Sequence, residues 1–93
     1  IIIDVGFGFG KTNNHNFEIL KNLSLFKSLD APILAGISRK SMLYKTLDIS
    51  AQEALNATTS ANTIALLNGA NILRVHDVKE AVEAVKIMNQ LSS

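Results

Sequence analysis

Apolar residues in this chain fall into three short aliphatic runs, each followed by a polar loop and then by a stretch in which apolar positions recur at helical spacing. The first run, Ile1-Ile2-Ile3-Asp4-Val5, favours a pleated strand. Its continuous apolar character is that of a parallel strand buried on both faces. Side chains alternate along a strand, so Ile2 and Asp4 share one face while Ile1, Ile3 and Val5 share the other. A carboxylate thus sits where apolar packing stops, and it must meet a donor or water. The second run, Ile33-Leu34-Ala35, ends at Gly36. The third, Asn71-Ile72-Leu73-Arg74-Val75, ends in charge, with Ile72, Arg74 and His76 on one face.

Helical patterns fill the intervals. Thr12-Asn13-Asn14-His15-Asn16 offers several capping side chains. Phe17, Leu20, Leu23, Phe26 and Leu29 then form one apolar stripe, which Asp30-Ala31-Pro32 ends because proline disfavours helix at the residue before it. Met42, Leu43, Tyr44 and Leu47 predict a short helical turn. Ser50 with Glu53 makes a capping box for a long helix from Ala51 to Asn68, with Gly69 as its stop and Ala57, Ser60 and Ala61 small enough for close packing. Asp77 and Glu80 form an N-terminal capping signature for a last helix whose core stripe is Val78, Ala81, Val82, Val85 and Met88.

The order β-α-β-α-β-α predicts an α/β fold with parallel pairing and right-handed crossovers. That geometry brings Asp4, Lys40, Arg74 and His76 to one edge of the sheet. In a barrel this is the edge that carries active sites and a phosphate site; in an open sheet it is the carboxyl-end crevice.

Composition narrows the classes. Nine Lys and Arg against eight Asp and Glu leave a formal charge of +1, with no basic face or like-charge block, so neither nucleic acid nor an anionic membrane is expected as partner. No run approaches the roughly 18 apolar residues of a membrane span. Cysteine is absent, which removes disulfides and thiolate metal sites and suits a cytoplasmic protein. The chain opens inside a strand without Met, and 47% hydrophobic residues with mean hydropathy +0.22 exceed what a free-standing domain of this size hides. A piece of a larger domain is expected.

Gly6-Phe7-Gly8-Phe9-Gly10-Lys11 gives a loop that a ligand can approach, with two aromatic rings able to wall a planar pocket. It lacks the spacing of a dinucleotide fingerprint or a P-loop. Each residue also has a plain reading: Asp4 as a turn cap, Arg74 and His76 as a solvated strand end, His15 as a capping or surface residue, Phe7 as packing, Lys11 as solvated. Arg39 and Lys40 are different, since cations at a helix N-terminus oppose the dipole and point to anion binding.

Taken together, Asp4-Val5-Gly6-Phe7-Gly8-Phe9-Gly10-Lys11, Gly36-Ile37-Ser38-Arg39-Lys40-Ser41 and Arg74-Val75-His76-Asp77-Val78 resemble the dihydropteroate synthases. Val5 stands where that family usually has proline. The resemblance implies that residues 1–93 are the C-terminal part of a single pterin-binding (β/α)8 TIM-barrel domain, covering strands six to eight with their helices. It implies a transferase of folate biosynthesis, condensing 6-hydroxymethyl-7,8-dihydropterin diphosphate with p-aminobenzoate to 7,8-dihydropteroate and pyrophosphate. Mg²⁺, with ligands upstream of this chain, would assist the leaving group. By the same resemblance Asp4 binds the guanidine-like pterin edge and Lys40 the ring near its carbonyl. Arg74 packs on the pterin and, with His76, binds diphosphate, while Phe9 and Ser41 surround p-aminobenzoate, where sulfonamides compete. A homodimer is implied for the full-length protein.

Two rivals stand beside this reading. A pterin-binding methyltransferase barrel has no diphosphate to bind, and the Ser38-Arg39-Lys40-Ser41 and Arg74-Val75-His76 segments argue against it. A noncatalytic ligand-binding or oligomerisation module would not need Asp4, Lys40, Arg74 and His76 intact. Three βα units cannot close an eight-stranded barrel, so the isolated 93 residues are expected to be inactive.

Overall fold

Three short strands, β1 (Ile3–Asp4), β2 (Ile33–Ala35) and β3 (Ile72–Leu73), form a parallel sheet in the order β1-β2-β3 in the computed structural model, which describes residues 1–8 and 10–91. Ile3 lies opposite Ile33 and Asp4 opposite Leu34, while Leu34 pairs with Ile72 and Ala35 with Leu73. Bonds just outside the strands extend the ladder: Asn71 N–H reaches Ile33 O at 2.8 Å and Arg74 N–H reaches Ala35 O at 3.1 Å. The Asn71 side chain adds a further tie, accepting from Ile33 N–H at 2.9 Å.

The middle strand alone is well covered. Ile33 and Ala35 are buried, and Ile37 just beyond them is buried too. Ile1 and Ile2, expected inside a buried strand, are instead exposed, because β1 has a neighbour on one side only and its pairing starts at Ile3.

Helix α1 (Asn13–Lys21) opens at Thr12, whose hydroxyl accepts from His15 N–H at 3.2 Å. The single helix expected as far as Leu29 breaks at Asn22, whose side-chain amide bonds back to Glu18 O at 3.1 Å. Such local bonding lets asparagine compete with the helical ladder. The chain continues as a 3-10 helix from Leu23 to Leu29 and leaves through Asp30 in a left-handed conformation. Leu20 and Leu23 are buried and Phe26 is half-buried, but Phe17 and Leu29 face outward.

Helix α2 (Ser41–Thr46) follows β2 and buries Met42 and Leu43. The Ser50 and Glu53 capping box forms as predicted, though it heads a 3-10 turn, Ala51–Glu53, and α3 (Leu55–Leu67) starts only after a break at Ala54. Thr58, Ala61, Asn62 and Ala65 make its buried face; Ser60 turns outward and bonds to Asn56 O at 3.0 Å. Helix α4 (Val78–Leu91) buries only Ala81 and Ala84. Val78, Val82 and Val85, expected in the core, line an open groove with Leu66, Leu73 and Val75, because among the described residues β3 pairs with β2 alone. Among the described residues no helix is long and apolar enough to cross a membrane.

Candidate active site

The three strands end at one edge, and each delivers a charged side chain or a loop that carries one. Asp4 closes β1. One of its carboxylate oxygens, Oδ1, accepts Gly6 N–H at 3.0 Å, and the other, Oδ2, accepts Arg74 Nη1 at 3.0 Å. The Gly6 bond and then the Arg74 guanidinium hold the Asp4 carboxyl below the usual carboxylate range. Both side chains stay open to solvent, Arg74 at 53% and Asp4 at 40%, so a ligand can compete for either.

The loop after β1 is strapped from three sides. Phe7 is buried in the core and anchors it. Lys40 Nζ donates to Phe7 O, Lys11 Nζ donates to Gly6 O at 3.0 Å, and Gly8 N–H donates to Asn16 Oδ1 at 3.0 Å. Lys11, read from the sequence as solvated, is thus bound to the loop. Asn16, read as one of several cap candidates, is 1% exposed and holds the loop instead, while Thr12 does the capping. Gly8 has φ +90, and a Cβ there would press on Lys40 Cδ at 3.3 Å, so glycine at this position serves both the turn and the path of Lys40.

Lys40 is the residue before α2, with an extended backbone (φ −76, ψ 159). Partial burial and then the nearby Arg74 and Lys11 charges lower its pKa, while Asp4 opposes them. Asp4, Lys40 and Arg74 therefore share one field at the ends of all three strands. Ser41, the first residue of α2, is half-buried beside Lys40.

His76 sits past β3 on a bond to Ser38, Nδ1 to Oγ at 2.8 Å, and its own N–H donates to the same Oγ at 3.2 Å. The hydroxyl has two lone pairs and one hydrogen, so it can accept the His76 N–H and still bond to Nδ1 in either ring tautomer. Ser38 is buried. Its role is invisible in the sequence because it depends on a residue 38 positions away.

Arg39 does not join the anion-binding group expected for it. Nε and Nη2 pair with Asp77 Oδ2 and Oδ1 at 2.9 and 3.0 Å. Nη1 donates to Ala51 O at 2.7 Å and to Gln52 O at 2.9 Å. With both faces of the fork spent inside the protein, little donor capacity is left for a ligand. The same bonds hold Arg39 at φ +54, and its N–H donates to Thr58 Oγ1 at 3.0 Å. Asp77, read as a helix cap, spends both carboxylate oxygens on Arg39, which keeps its pKa below the usual range.

Phe9 lies outside the described residues. Among the described residues no three His, Cys, Asp or Glu side chains gather closely enough to hold a metal ion. The structure thus brings Asp4, Lys40 and Arg74 together, puts His76 on Ser38 at the same edge, and removes Arg39 from the set. Sequence reasoning named Asn16 as a cap candidate and Ser38 and Gly36 within a motif, without the roles that the structure gives them.

A family model described as pterin binding enzyme matches residues 1–76. Curated relatives include a dihydropteroate synthase of Escherichia coli, 43% identical over 88 residues that cover 95% of this chain and 31% of the relative. A bifunctional dihydropteroate synthase/dihydropteroate reductase of Helicobacter pylori is 41% identical, covering 98% of this chain and 24% of the relative. Among solved structures, a Yersinia pestis DHPS with a pterine-sulfa conjugate superposes at TM-score 0.95 with 42% identity, covering 98% of this chain and 36% of that one. A 7,8-dihydropteroate synthase from Vibrio fischeri superposes at TM-score 0.94 with 44% identity, covering 99% of this chain and 34% of that one. The chain spans about a third or less of the length of the curated relatives named here.

Proposed function

We propose that this chain, which belongs to the pterin-binding enzyme family, carries part of the active site of a dihydropteroate synthase. In this reading residues 1–93 are the C-terminal part of one pterin-binding TIM-barrel domain, strands six to eight of eight. The full-length protein is a cytoplasmic homodimer acting in folate biosynthesis on two small molecules, dihydropterin diphosphate and p-aminobenzoate.

The observation that carries the reading is the pairing of Asp4 with the Arg74 guanidinium at the joint end of β1 and β3. A carboxylate that already accepts a planar N–H donor suits the guanidine-like edge of a pterin, where two parallel N–H groups face two oxygens. When the pterin takes Asp4, Arg74 is left free for the diphosphate.

The reaction breaks the bond between the pterin methylene carbon and the diphosphate oxygen, whose electron pair leaves with pyrophosphate. A bond then forms from the amine nitrogen of p-aminobenzoate to that carbon, and the nitrogen loses a proton. Arg74 and Lys40 place fixed positive charge where the leaving group gathers negative charge. Arg74 adds a planar face for stacking and a fork for phosphate oxygens. His76, held by the bond between its Nδ1 and Ser38 Oγ, is in this reading a further contact to the diphosphate. Ser41 and Phe9 border the p-aminobenzoate in this reading. Mg²⁺ would take its ligands from outside this chain.

The test is pyrophosphate release by the full-length protein given dihydropterin diphosphate and Mg²⁺. Release that stops when p-aminobenzoate is omitted supports the synthase; pterin binding without release points to a methyltransferase or noncatalytic role.

A further inference from the structure

We propose that Gly36 is a positioning residue for Arg74: its missing side chain opens the path over the middle strand by which the guanidinium reaches Asp4. The inference rests on the reading above, in which Asp4 and Arg74 contact substrate.

Sheet order sets the problem. Arg74 follows β3, Asp4 closes β1, and β2 lies between them. The Arg74 backbone is fixed beside the end of β2 by its bond to Ala35 O at 3.1 Å, yet its Nη1 lies 3.0 Å from Asp4 Oδ2. The side chain must therefore cross β2, and it crosses at Gly36. A Cβ on Gly36 would stand 2.5 Å from Nη2, 2.9 Å from Cζ and 3.0 Å from Nε. Three guanidinium atoms would meet the methyl together, so the group lies flat over the backbone rather than touching it by one tip. Ordinary contacts to carbon are about 3.5–4.0 Å, so a methyl there fits only if the guanidinium lifts by about 1 Å.

Glycine is not demanded by the backbone. Gly36 is absent from the positive-φ residues, so alanine can adopt its conformation. What the position requires is space, and the occupant of that space is Arg74. Alanine at 36 would leave both charges in the molecule and break their alignment.

In the full-length protein, Gly36→Ala should lower kcat/KM for dihydropterin diphosphate by about ten- to a hundredfold, the scale of a misplacement near 1 Å. Added to Arg74→Ala, the same substitution should change kcat/KM by less than about twofold, since uncoupled costs would add. Wild-type kinetics for Gly36→Ala, or an equal loss on both backgrounds, overturns the proposal. A crystal structure of Gly36→Ala gives a readout without catalysis: the Arg74 to Asp4 contact is expected to be broken, and its survival counts against the idea. Should the single variant fail to fold, recovery of folding in Gly36→Ala with Arg74→Ala supports the proposal, and failure of both overturns it. Absence of p-aminobenzoate-dependent release in the wild-type protein would defeat the synthase reading alone, with the variant structure still judging Gly36.

Discussion

Arg39 and Asp77 meet fork to fork across the loops that follow β2 and β3, with Nε to Oδ2 at 2.9 Å and Nη2 to Oδ1 at 3.0 Å. Each is the sequence neighbour of a proposed functional residue, Lys40 in one case and His76 in the other. The pair therefore sets how far apart two strand-end loops stand, and with them two groups of the site.

Arg39→Lys is expected to lower the melting temperature and kcat together, because an ammonium cannot reproduce the two-point pair or the bonds to Ala51 O and Gln52 O. The reciprocal exchange, Arg39→Asp with Asp77→Arg, should not rescue either property, since those two carbonyls need donors from position 39. Thermal melts beside steady-state kinetics decide it; full rescue by the exchange would reduce the pair to simple charge complementarity.

Lys40→Ala and Arg74→Ala in the full-length protein should each cut kcat by about 10²–10³, the loss typical of removing a preorganised electrostatic contact. Steady-state kinetics near wild type for both would take them out of the site.

Asp4→Asn should weaken pterin binding while leaving pyrophosphate binding comparatively intact, because one oxygen of the carboxylate is replaced by a donor that repels the pterin N–H edge. Calorimetric titration with each ligand separates the two; equal weakening of both would contradict the assigned role.

The alkaline limb of kcat/KM should fall below the ordinary lysine value of about 10.4. Lys40 is shifted down by burial first and by Arg74 next. Removing Arg74 should move any residual limb upward, whereas Asp4→Asn, which removes an opposing charge, should move it downward. For stability the sign is equally definite: a lysine with a lowered folded pKa binds fewer protons folded than unfolded, so its penalty is present at neutral pH and disappears as pH rises past the unfolded value. Asp4 acts in the acid range, its contribution being present above the unfolded carboxyl pKa and lost as pH falls through the lowered folded value. A pH profile unmoved by either substitution would show that another group sets the limb.

Asn16→Ala should destabilise the protein by about 0.5–1.5 kcal/mol, the net worth of one hydrogen bond, because Gly8 N–H loses its acceptor. Urea unfolding of the full-length protein reads this as a lower midpoint at unchanged slope. An unchanged midpoint would mean that water, which reaches the exposed Gly8, replaces the amide in full.

Much of the architecture was legible because it rests on local chemistry. Ile33-Leu34-Ala35 forms the strand that its residues predict, Thr12 caps α1, and Ser50 with Glu53 makes its box. The edge carrying Asp4, Lys40, Arg74 and His76 was legible from strand order alone. Side-chain partnerships across the sequence were not. Arg39 looks like an anion ligand until Asp77 is placed beside it, and Lys11 looks solvated until the loop folds back to present Gly6 O. The stripe of α4 held only in part, with Ala81 buried and Val78, Val82 and Val85 exposed: apolar spacing states which face seeks cover, while what supplies that cover lies elsewhere in space.

The Asp4 and Arg74 pair joins positions 70 residues apart, and this separation bears on the order of assembly. Closing so long a loop costs entropy before any contact repays it. The contact requires β3 paired to β2, since the guanidinium reaches Asp4 only by passing over that strand. Neither Asp4 nor Arg74 belongs to the buried cluster around Phe7, Leu23 and Ile33, so a packed core and an aligned binding edge are separate demands on this sequence.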